Sequence, residues 1–245
     1  CALAGLALAG RVEPPIELVP GLKTFEGARI IDGSGNTIEN GVLVVRDGRV
    51  EAIGTSDSVS VPAGAEQFDL TGRTIIPGFI NTHGHVGATR GLESDPELYT
   101  RSNLLHQLGL YARYGVTTVF SLGGDDQAGF TLRDEQNLSL DRARLFVAGP
   151  VVNGATAEDV EPLVDEIAGM GADMIKIRVD DNLGSTTKMP EEAWRAVIER
   201  AHEHGLRVAA HVFYLDDAKK LVEADVDFLA HSVRDTDVDQ ELIDG

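Results

Sequence analysis

The sequence predicts an α/β fold in which a small β-domain precedes a TIM-type barrel. From Thr74 onward, strand-like apolar runs alternate with helical stretches, which indicates parallel βαβ units. No Gly-rich dinucleotide-binding fingerprint follows the first of these strands, and six βα units in a row favour a barrel over a Rossmann sheet. We predict strands at 75–83, 117–122, 145–149, 173–178, 207–213 and 227–232, and helices at 100–114, 157–169, 190–204 and 215–224.

Residues 21–74 are predicted to form the β-domain. Residues 32–36, Asp-Gly-Ser-Gly-Asn, form a turn cluster. Residues 42–46 and 49–53 are strand-like and flank Asp47-Gly48, a pair typical of a type I′ hairpin turn. We single out no catalytic residue in this region.

Residues 1–20 are predicted to be a signal-peptide remnant and a linker, leaving 75–245 as a partial barrel. Residues 1–10 are apolar and small, Ala7-Leu8-Ala9 resembles a cleavage site, and three prolines follow. The protein is therefore expected to be secreted or periplasmic. The alternatives are a lipoprotein acylated at Cys1, or a cytoplasmic protein with an ordinary N-terminus.

The composition excludes several classes of protein. The 245 residues are 42% hydrophobic, which suffices for a sizeable core. With 21 basic and 40 acidic residues the net charge is −19, so nucleic acid and anionic membranes are poor partners. The single cysteine excludes a disulfide framework and a thiolate metal site within the chain. No apolar run reaches 18 residues, so we expect no membrane span, and no P-loop motif occurs, which excludes a P-loop nucleotide site. The expected partner is a small-molecule substrate.

His83 and His85 end the first predicted barrel strand. Residues two apart on a strand share a face, with their Cα atoms about 7 Å apart, so two neutral imidazoles can hold one metal ion. Gly84 between them is expected to open room for a ligand. His202 and His204 have the same spacing in a predicted helix, where such residues do not share a face, and Gly205 is the expected helix-ending residue. We interpret that second pair as structural.

Lys176 is predicted to point into the barrel. Alternation along the fourth strand places it with Met174 and Arg178, whereas Ile175, Ile177 and Val179 face the helices. A buried lysine is costly unless it is paired or deprotonated, which makes it a functional candidate. The alternative is a structural ion pair with an inward acid.

Two further histidines end the fifth and sixth strands. His211 and His231 each follow an alanine at the end of a small apolar run. A single such histidine is more often a core residue than a ligand. Two at matching positions, together with the pair on the first strand and Lys176, indicate a metal site at the strand ends. His106 lies in a predicted helix and is interpreted as structural.

These residues carry a family resemblance. Residues 77–85, Pro-Gly-Phe-Ile-Asn-Thr-His-Gly-His, resemble the first-strand signature of the amidohydrolase superfamily, in its imidazolonepropionase-like and prolidase-like branch. Lys176, His211 and His231 fall where that family has ligands on strands four, five and six. The resemblance covers roughly residues 22–235 and implies a (β/α)8 barrel.

The resemblance also implies two divalent metal ions, usually zinc. His83 and His85 would hold one ion, and His211 and His231 the other. Lys176 would be carboxylated by CO2 and bridge them, so that Lys176 and His231 are also catalytic. Burial near cations favours the neutral amine that captures CO2. Two metals can turn water into hydroxide near neutral pH.

Two features depart from the family pattern. Asn81 stands where an acidic residue is often found, and the Asp of the eighth strand has no counterpart. The barrel begins near residue 75 and leaves 245 − 74 = 171 residues, whereas a full barrel takes about 250. We therefore expect a barrel incomplete after the sixth strand, in a chain that is poorly soluble or a homo-oligomer and nearly inactive alone.

The expected function is hydrolysis of C–N bonds in amides, dipeptides or cyclic amides. Arg178 can pair with a substrate carboxylate, and Tyr214 is a second substrate-binding candidate. The alternatives are an ester or lactone hydrolase on the same metals, and a metal-binding barrel fragment that catalyses nothing.

Overall fold

The computed structural model describes residues 20–135 and 140–245. The predicted signal-peptide remnant, with Cys1 and the cleavage site, lies outside the described residues. The described chain divides into two compact units, one of residues 20–79 with 140–141, the other of residues 80–135 with 142–245.

The first unit is a five-stranded sheet. Its strands are β1 (Leu22–Ile31), β2 (Thr37–Arg46), β3 (Arg49–Thr55), β4 (Glu66–Asp69) and β5 (Thr74–Ile75). The order is β3-β2-β1-β4, and β5 pairs with β1. Asp47 and Gly48 join β2 to β3 with φ values of 49° and 74°, as a type I′ turn requires. The predicted hairpin is thus confirmed.

The second unit alternates strands and helices. Its elements are β6 (Phe79–Gly84), β7 (Thr89–Arg90), β8 (Glu93–Ser94), a 3₁₀ turn (Pro96–Leu98), α1 (Arg101–Arg113), β9 (Val116–Ser121), α2 (Gln127–Asp134), β10 (Arg144–Val147), β11 (Val151–Val152), α3 (Ala157–Gly169), β12 (Ile175–Arg178), α4 (Glu191–Glu203), β13 (Val208–His211), α5 (Leu215–Glu223), β14 (Phe228–Leu229) and α6 (Gln240–Asp244). The four predicted helices are confirmed within two residues at each end, whereas α2 and α6 were not predicted.

The strands of this unit form two larger sheets. One has the order β10-β9-β6 and the other β11-β12-β13-β14, with parallel pairing between β9 and β10 and throughout the second sheet. The described strands close no barrel. The backbone N–H of Asp173 donates to the carbonyl of Val147 (2.9 Å), which links the two sheets at β10 and β12.

The first predicted barrel strand is wrong in one respect. Instead of one buried strand over 75–83, the chain forms β5 and β6 with a break at Pro77-Gly78. Proline has no N–H to donate to a strand ladder, which explains the break. Phe79 and Ile80 are each 58% exposed, and β6 lies at the edge of its sheet.

The core lies on both faces of the β12 sheet. Ile175, Ile177 and Val179 are fully buried in the large cluster that also contains Trp194 and Val197 of α4, as the alternation predicted. On the opposite face Met174 packs against a smaller cluster of Leu122, Ala148 and Ala209. Lys176 stands on this second face, one alternate position beyond Met174.

A buried ion pair fastens α2 to the start of β12. Nη1 of Arg133 lies 2.8 Å from Oδ2 of Asp173, and both side chains are 3% exposed. The same carboxylate oxygen accepts the backbone N–H of Val147 (2.9 Å). The pair therefore satisfies a carboxylate that has little access to water.

Replacing Arg133 by Met should lower the free energy of unfolding by about 3–5 kcal/mol, because it leaves the Asp173 carboxylate buried without its counter-charge. Denaturant titration measures this change. The control is Arg195→Met on α4, which removes an exposed pair with Glu191 and should cost at most about 0.5 kcal/mol. Equal stability of the two variants would contradict the role given to Arg133.

Candidate active site

Four histidines converge at the ends of three strands. His83 is in β6, His85 directly follows it, His211 ends β13, and His231 lies two residues after β14. Ring centroids are 5.3 Å apart for His83 and His85, 4.6 Å for His83 and His231, and 4.1 Å for His211 and His231. Strands distant in sequence thus bring their imidazoles into one cluster, which we call the histidine cluster.

Backbone carbonyls fix the tautomers of the first two histidines. Nδ1 of His83 lies 2.8 Å from the carbonyl oxygen of Ala230, and Nδ1 of His85 lies 3.1 Å from that of Gly123. A carbonyl only accepts hydrogen bonds, so each Nδ1 carries the proton and each Nε2 keeps its lone pair. This is the arrangement that orients histidines for metal binding.

Lys176 lies buried beside the histidine cluster. Lys176 is 3% exposed, and its Nζ has no hydrogen-bond partner within the described chain. Burial, and then the positive charge of Arg178, lower the pKa of Lys176 to about 8, while Asp180 acts in the opposite direction. A substantial fraction of the amine is therefore neutral near pH 8.

Gly123 makes room for the lysine stem. Its φ is +102°, and a Cβ at this position would lie 2.6 Å from Cγ2 of Val151 and 3.2 Å from Cγ of Lys176. Glycine is thus required both by the backbone and by the packing. The same residue supplies the carbonyl that holds His85, which ties the loop after β9 to the site.

Asp180 was not found by the sequence reasoning. It is 2% exposed at the end of β12, and its Oδ2 lies 2.9 Å from Nε2 of His211. Burial lowers the pKa of His211 to about 4, with Arg178, Lys176 and Arg234 acting in the same direction and Asp180 against them. An acidic residue among several loop acids gives no sequence signal, so only the fold reveals this contact.

His231 is also kept neutral. Burial lowers its pKa to about 4, and the neighbouring His211, His83, Lys176 and Arg234 add to the effect. Burial likewise lowers the pKa of His83. At neutral pH these histidines present unprotonated nitrogens.

Two arginines stand at the rim of the histidine cluster. Arg178 lies opposite His211 in the strand register. Arg234 donates its backbone N–H to the carbonyl of Phe213 (2.9 Å), and its guanidinium carbon lies 4.9 Å from the centre of that ring. Both are exposed, and no carboxylate of the described chain forms an ion pair with either. Arg234 was not predicted, because its position depends on a loop.

Tyr214 is engaged outside the histidine cluster. Its hydroxyl donates to Oδ1 of Asp181 (2.8 Å), and Nζ of Lys188 lies 3.8 Å from its ring centre. It precedes α5 and is its N-terminal flanking residue. The contacts therefore fix the tyrosine in the loops that follow β12 and β13.

The remaining histidines serve other contacts. His202 pairs with Asp227 (3.0 Å) and His204 with Asp165 (2.6 Å), so the pair at the end of α4 points to different carboxylates. Gly205 follows with φ +69°, as expected for a helix-ending glycine. His106 and His85 both line an open cleft of about 590 Å³ beside α1.

Gly84 does not open room for a ligand, contrary to the expectation. A Cβ there would lie 2.8 Å from Cγ1 of Val119, so glycine allows β6 to pack closely on β9. Asn81, at the position of the family's acid, accepts the backbone N–H of His83 (3.0 Å) with Oδ1 and donates to Tyr111 (3.3 Å). It supports His83 through uncharged hydrogen bonds.

Comparison with known proteins decides the family. A model of the Amidohydrolase family matches residues 74–239, which include every residue of the histidine cluster. The chain belongs to the amidohydrolase family.

The relatives that this amidohydrolase matches include enzymes named for different reactions. It is 30% identical over 177 residues to the enamidase of Eubacterium barkeri, covering 69% of this chain and 43% of the enamidase. It is 38% identical over 78 residues to a 5-methylthioadenosine/S-adenosylhomocysteine deaminase of Symbiobacterium thermophilum, covering 30% of this chain and 18% of the deaminase. The chain thus spans less than half of either relative.

Solved structures agree with the TIM-barrel type of α/β fold. A prolidase-like protein of Bifidobacterium longum superposes with a TM-score of 0.76 at 27% identity, over 94% of this chain and 57% of that one. The described part of the amidohydrolase contains no helix long and apolar enough to cross a membrane.

The residues of the histidine cluster fit the divalent metals that amidohydrolases generally use. Within residues 20–135 and 140–245, no three His, Cys, Asp or Glu side chains are already arranged to hold an ion. The donors are nevertheless suitable, because His83 and His85 each keep a free Nε2. The buried Nζ of Lys176, which lacks a partner, is a polar atom for which a ligand role would account.

Acid should destabilise the chelator-treated protein between pH 6.5 and about 4. The unfolded chain protonates His211 and His231 near 6.5, whereas the folded chain does so near 4. The free energy of unfolding is therefore unaffected by these groups above pH 6.5 and falls as the pH decreases through that window. Denaturant titrations at several pH values measure the loss.

The matched comparison is between His231→Asn and His202→Asn. Burial raises the pKa of Asp125 to about 6, which opposes the histidine effect, so the difference between variants is more informative than the absolute slope. We expect a shallower pH dependence for His231→Asn alone. Identical slopes for wild type and both variants would refute the assignment.

Proposed function

We propose that this protein is a metal-dependent hydrolase of C–N bonds in amides, dipeptides or cyclic amides. The observation that carries the proposal is a buried lysine amine without a partner in the described chain, beside a cluster of four histidines of which at least three are held neutral. Relatives named as a deaminase, an enamidase and a dihydroorotase support hydrolysis at C–N bonds.

The metal ligands would be His83, His85, Lys176, His211 and His231, with zinc as the expected ion and two ions as the expected number. Bound metal would supply Lewis-acid activation of water and of the scissile carbonyl. The neutral imidazoles donate nitrogen lone pairs without first losing a proton at neutral pH.

Lys176 would serve as an anionic ligand after reaction with CO2. The neutral amine attacks the carbon of CO2, an N–C bond forms, and one proton leaves the nitrogen for solvent, which yields a carbamate. The lowered pKa of Lys176 favours the neutral amine that this step requires. The resulting oxygens would satisfy the otherwise unpartnered end of the side chain.

Substrate orientation would depend on the rim of the site. Arg178 and Arg234 offer guanidinium groups that pair with carboxylates, so we propose a substrate that carries a carboxylate. Tyr214 is held by Asp181 in the neighbouring loop, from which it can contact the same substrate. His231, unprotonated and within 4.6 Å of two other imidazoles by ring centre, would contribute to catalysis as a metal ligand.

Metal-dependent turnover tests the proposal. We expect the full-length protein to hydrolyse members of a panel of dipeptides and cyclic amides, and chelator to abolish this activity. His83→Ala and His211→Ala should lose bound metal, as measured by elemental analysis after gel filtration, because each removes a donor from the cluster. His202→Ala is the control and should retain it.

Two outcomes would contradict the proposal. Equal metal loss in all three variants would show that the histidine cluster is not the metal site. Hydrolysis of esters or lactones with no activity on any amide would show that the protein is an ester or lactone hydrolase and does not cleave C–N bonds.

Lys176 should carry a carbamate when metal is present. Protein exchanged into ¹³C-bicarbonate is expected to show a carbamate carbon resonance that is absent from Lys176→Ala. Added short carboxylic acids should restore part of the metal binding of that variant, because they replace the missing oxygens. A metal-loaded site with an unmodified lysine ammonium would refute this prediction.

A further inference from the structure

The Asp180 carboxylate uses its two oxygens for different purposes. Oδ1 accepts the backbone N–H of Asn182 (2.7 Å), which shapes the turn after β12. Oδ2 is buried, lies 2.9 Å from Nε2 of His211, and has no hydrogen bond of regular geometry within the described chain. The turn needs only the first oxygen, so the second is available to the histidine.

His211 therefore faces its neighbours with a different nitrogen from the first two histidines. His83 and His85 direct Nδ1 to carbonyl oxygens and keep Nε2 free. Nε2 of His211 instead lies beside the carboxylate of Asp180, and an ionised carboxylate only accepts hydrogen bonds. A proton on Nε2 leaves the lone pair of His211 on Nδ1.

We propose that Asp180 is a positioning residue that holds His211 in the Nε2–H tautomer and presents Nδ1 as the metal-ligating nitrogen. The inference rests on the metal site of the proposed function and adds a residue outside its set of ligands. A carboxylate behind a ligating histidine fixes the ring orientation and increases the basicity of the ligand.

The surroundings favour this role over a purely structural one. A buried carboxylate is costly unless it is paired, and α4 and the loops offer Asp180 no arginine or lysine ion pair among the described residues. The negative charge does act on both Lys176 and His211. Among the described residues, the group that lies within ion-pair distance of Asp180 is thus His211, a proposed ligand.

Metal affinity of matched variants tests the role. We expect Asp180→Ala to bind Zn²⁺ about 10–100-fold more weakly than wild type in a chelator competition, the usual effect of losing such a partner. Asp180→Asn should retain most of the affinity, because its amide oxygen accepts the same Nε2–H. The control is Asp181→Ala, which removes the adjacent carboxylate bonded to Tyr214 and should bind Zn²⁺ as wild type does.

Two results in this series would overturn the inference. Wild-type affinity in Asp180→Ala would show that the carboxylate does not support the ligand. Equal, large losses in Asp180→Ala and Asp180→Asn, with unchanged melting temperatures, would show that Asp180 acts as a direct ligand or through its charge alone.

The tautomer of His211 can be read in the wild-type protein, so the test does not depend on variants that fold poorly. Long-range ¹H–¹⁵N spectra of histidine-labelled protein, assigned with His211→Asn, should show Nε2–H for His211 and Nδ1–H for His83 and His85. An Nδ1–H tautomer at His211 would refute the role of Asp180. Wild-type protein that binds no Zn²⁺ would count against the proposed function instead, and the tautomer would still decide the contact with Asp180.

Discussion

The site depends on the burial of one basic group in the middle of β12. Lys176 cannot reach solvent, and no hydrogen-bonding atom of the described chain satisfies its amine. A charged ammonium in such a place is strongly unfavourable, so the surroundings lower its pKa instead of pairing it. The same burial keeps the nearby histidines neutral. His211 and His231 are therefore unprotonated at physiological pH, whereas the amine of Lys176, with a pKa lowered to about 8, is neutral only in part.

Sheet geometry explains why these nitrogens meet. The parallel strands β12, β13 and β14 end at the same edge, where His211 ends β13 and His231 follows β14. Below that edge the interior face is filled by Leu122 with the small side chains of Ala148 and Ala209, which leaves room for Met174 and the lysine stem. The loops then complete the site through backbone groups, as the carbonyl of Gly123 does for His85.

Periodicity and spacing predicted the positions of site residues that lie within strands or at their ends. The alternation around Lys176 and the Ala-His ends of two strands follow from local sequence, and the structure places these residues together. Contacts made by loop backbone carry no such pattern, so Asp180, Arg234 and the carbonyl partners of the histidines were missed. Gly84 shows the opposite error, since a glycine between two candidate ligands was interpreted as an opening when Val119 fills that space.

The net charge of the protein and the charges at its site have opposite signs. The net charge of −19 repels anions at long range, but at physiological ionic strength that field is screened beyond about 8 Å. At the rim of the histidine cluster a substrate meets Arg178 and Arg234, neither of which forms an ion pair with a carboxylate of the described chain. Guanidinium groups left without partners in so acidic a protein keep their full capacity for a bidentate contact. Under the proposed function, an anionic substrate is therefore selected by these local contacts after it arrives, and the overall charge of the protein contributes to solubility and not to recognition.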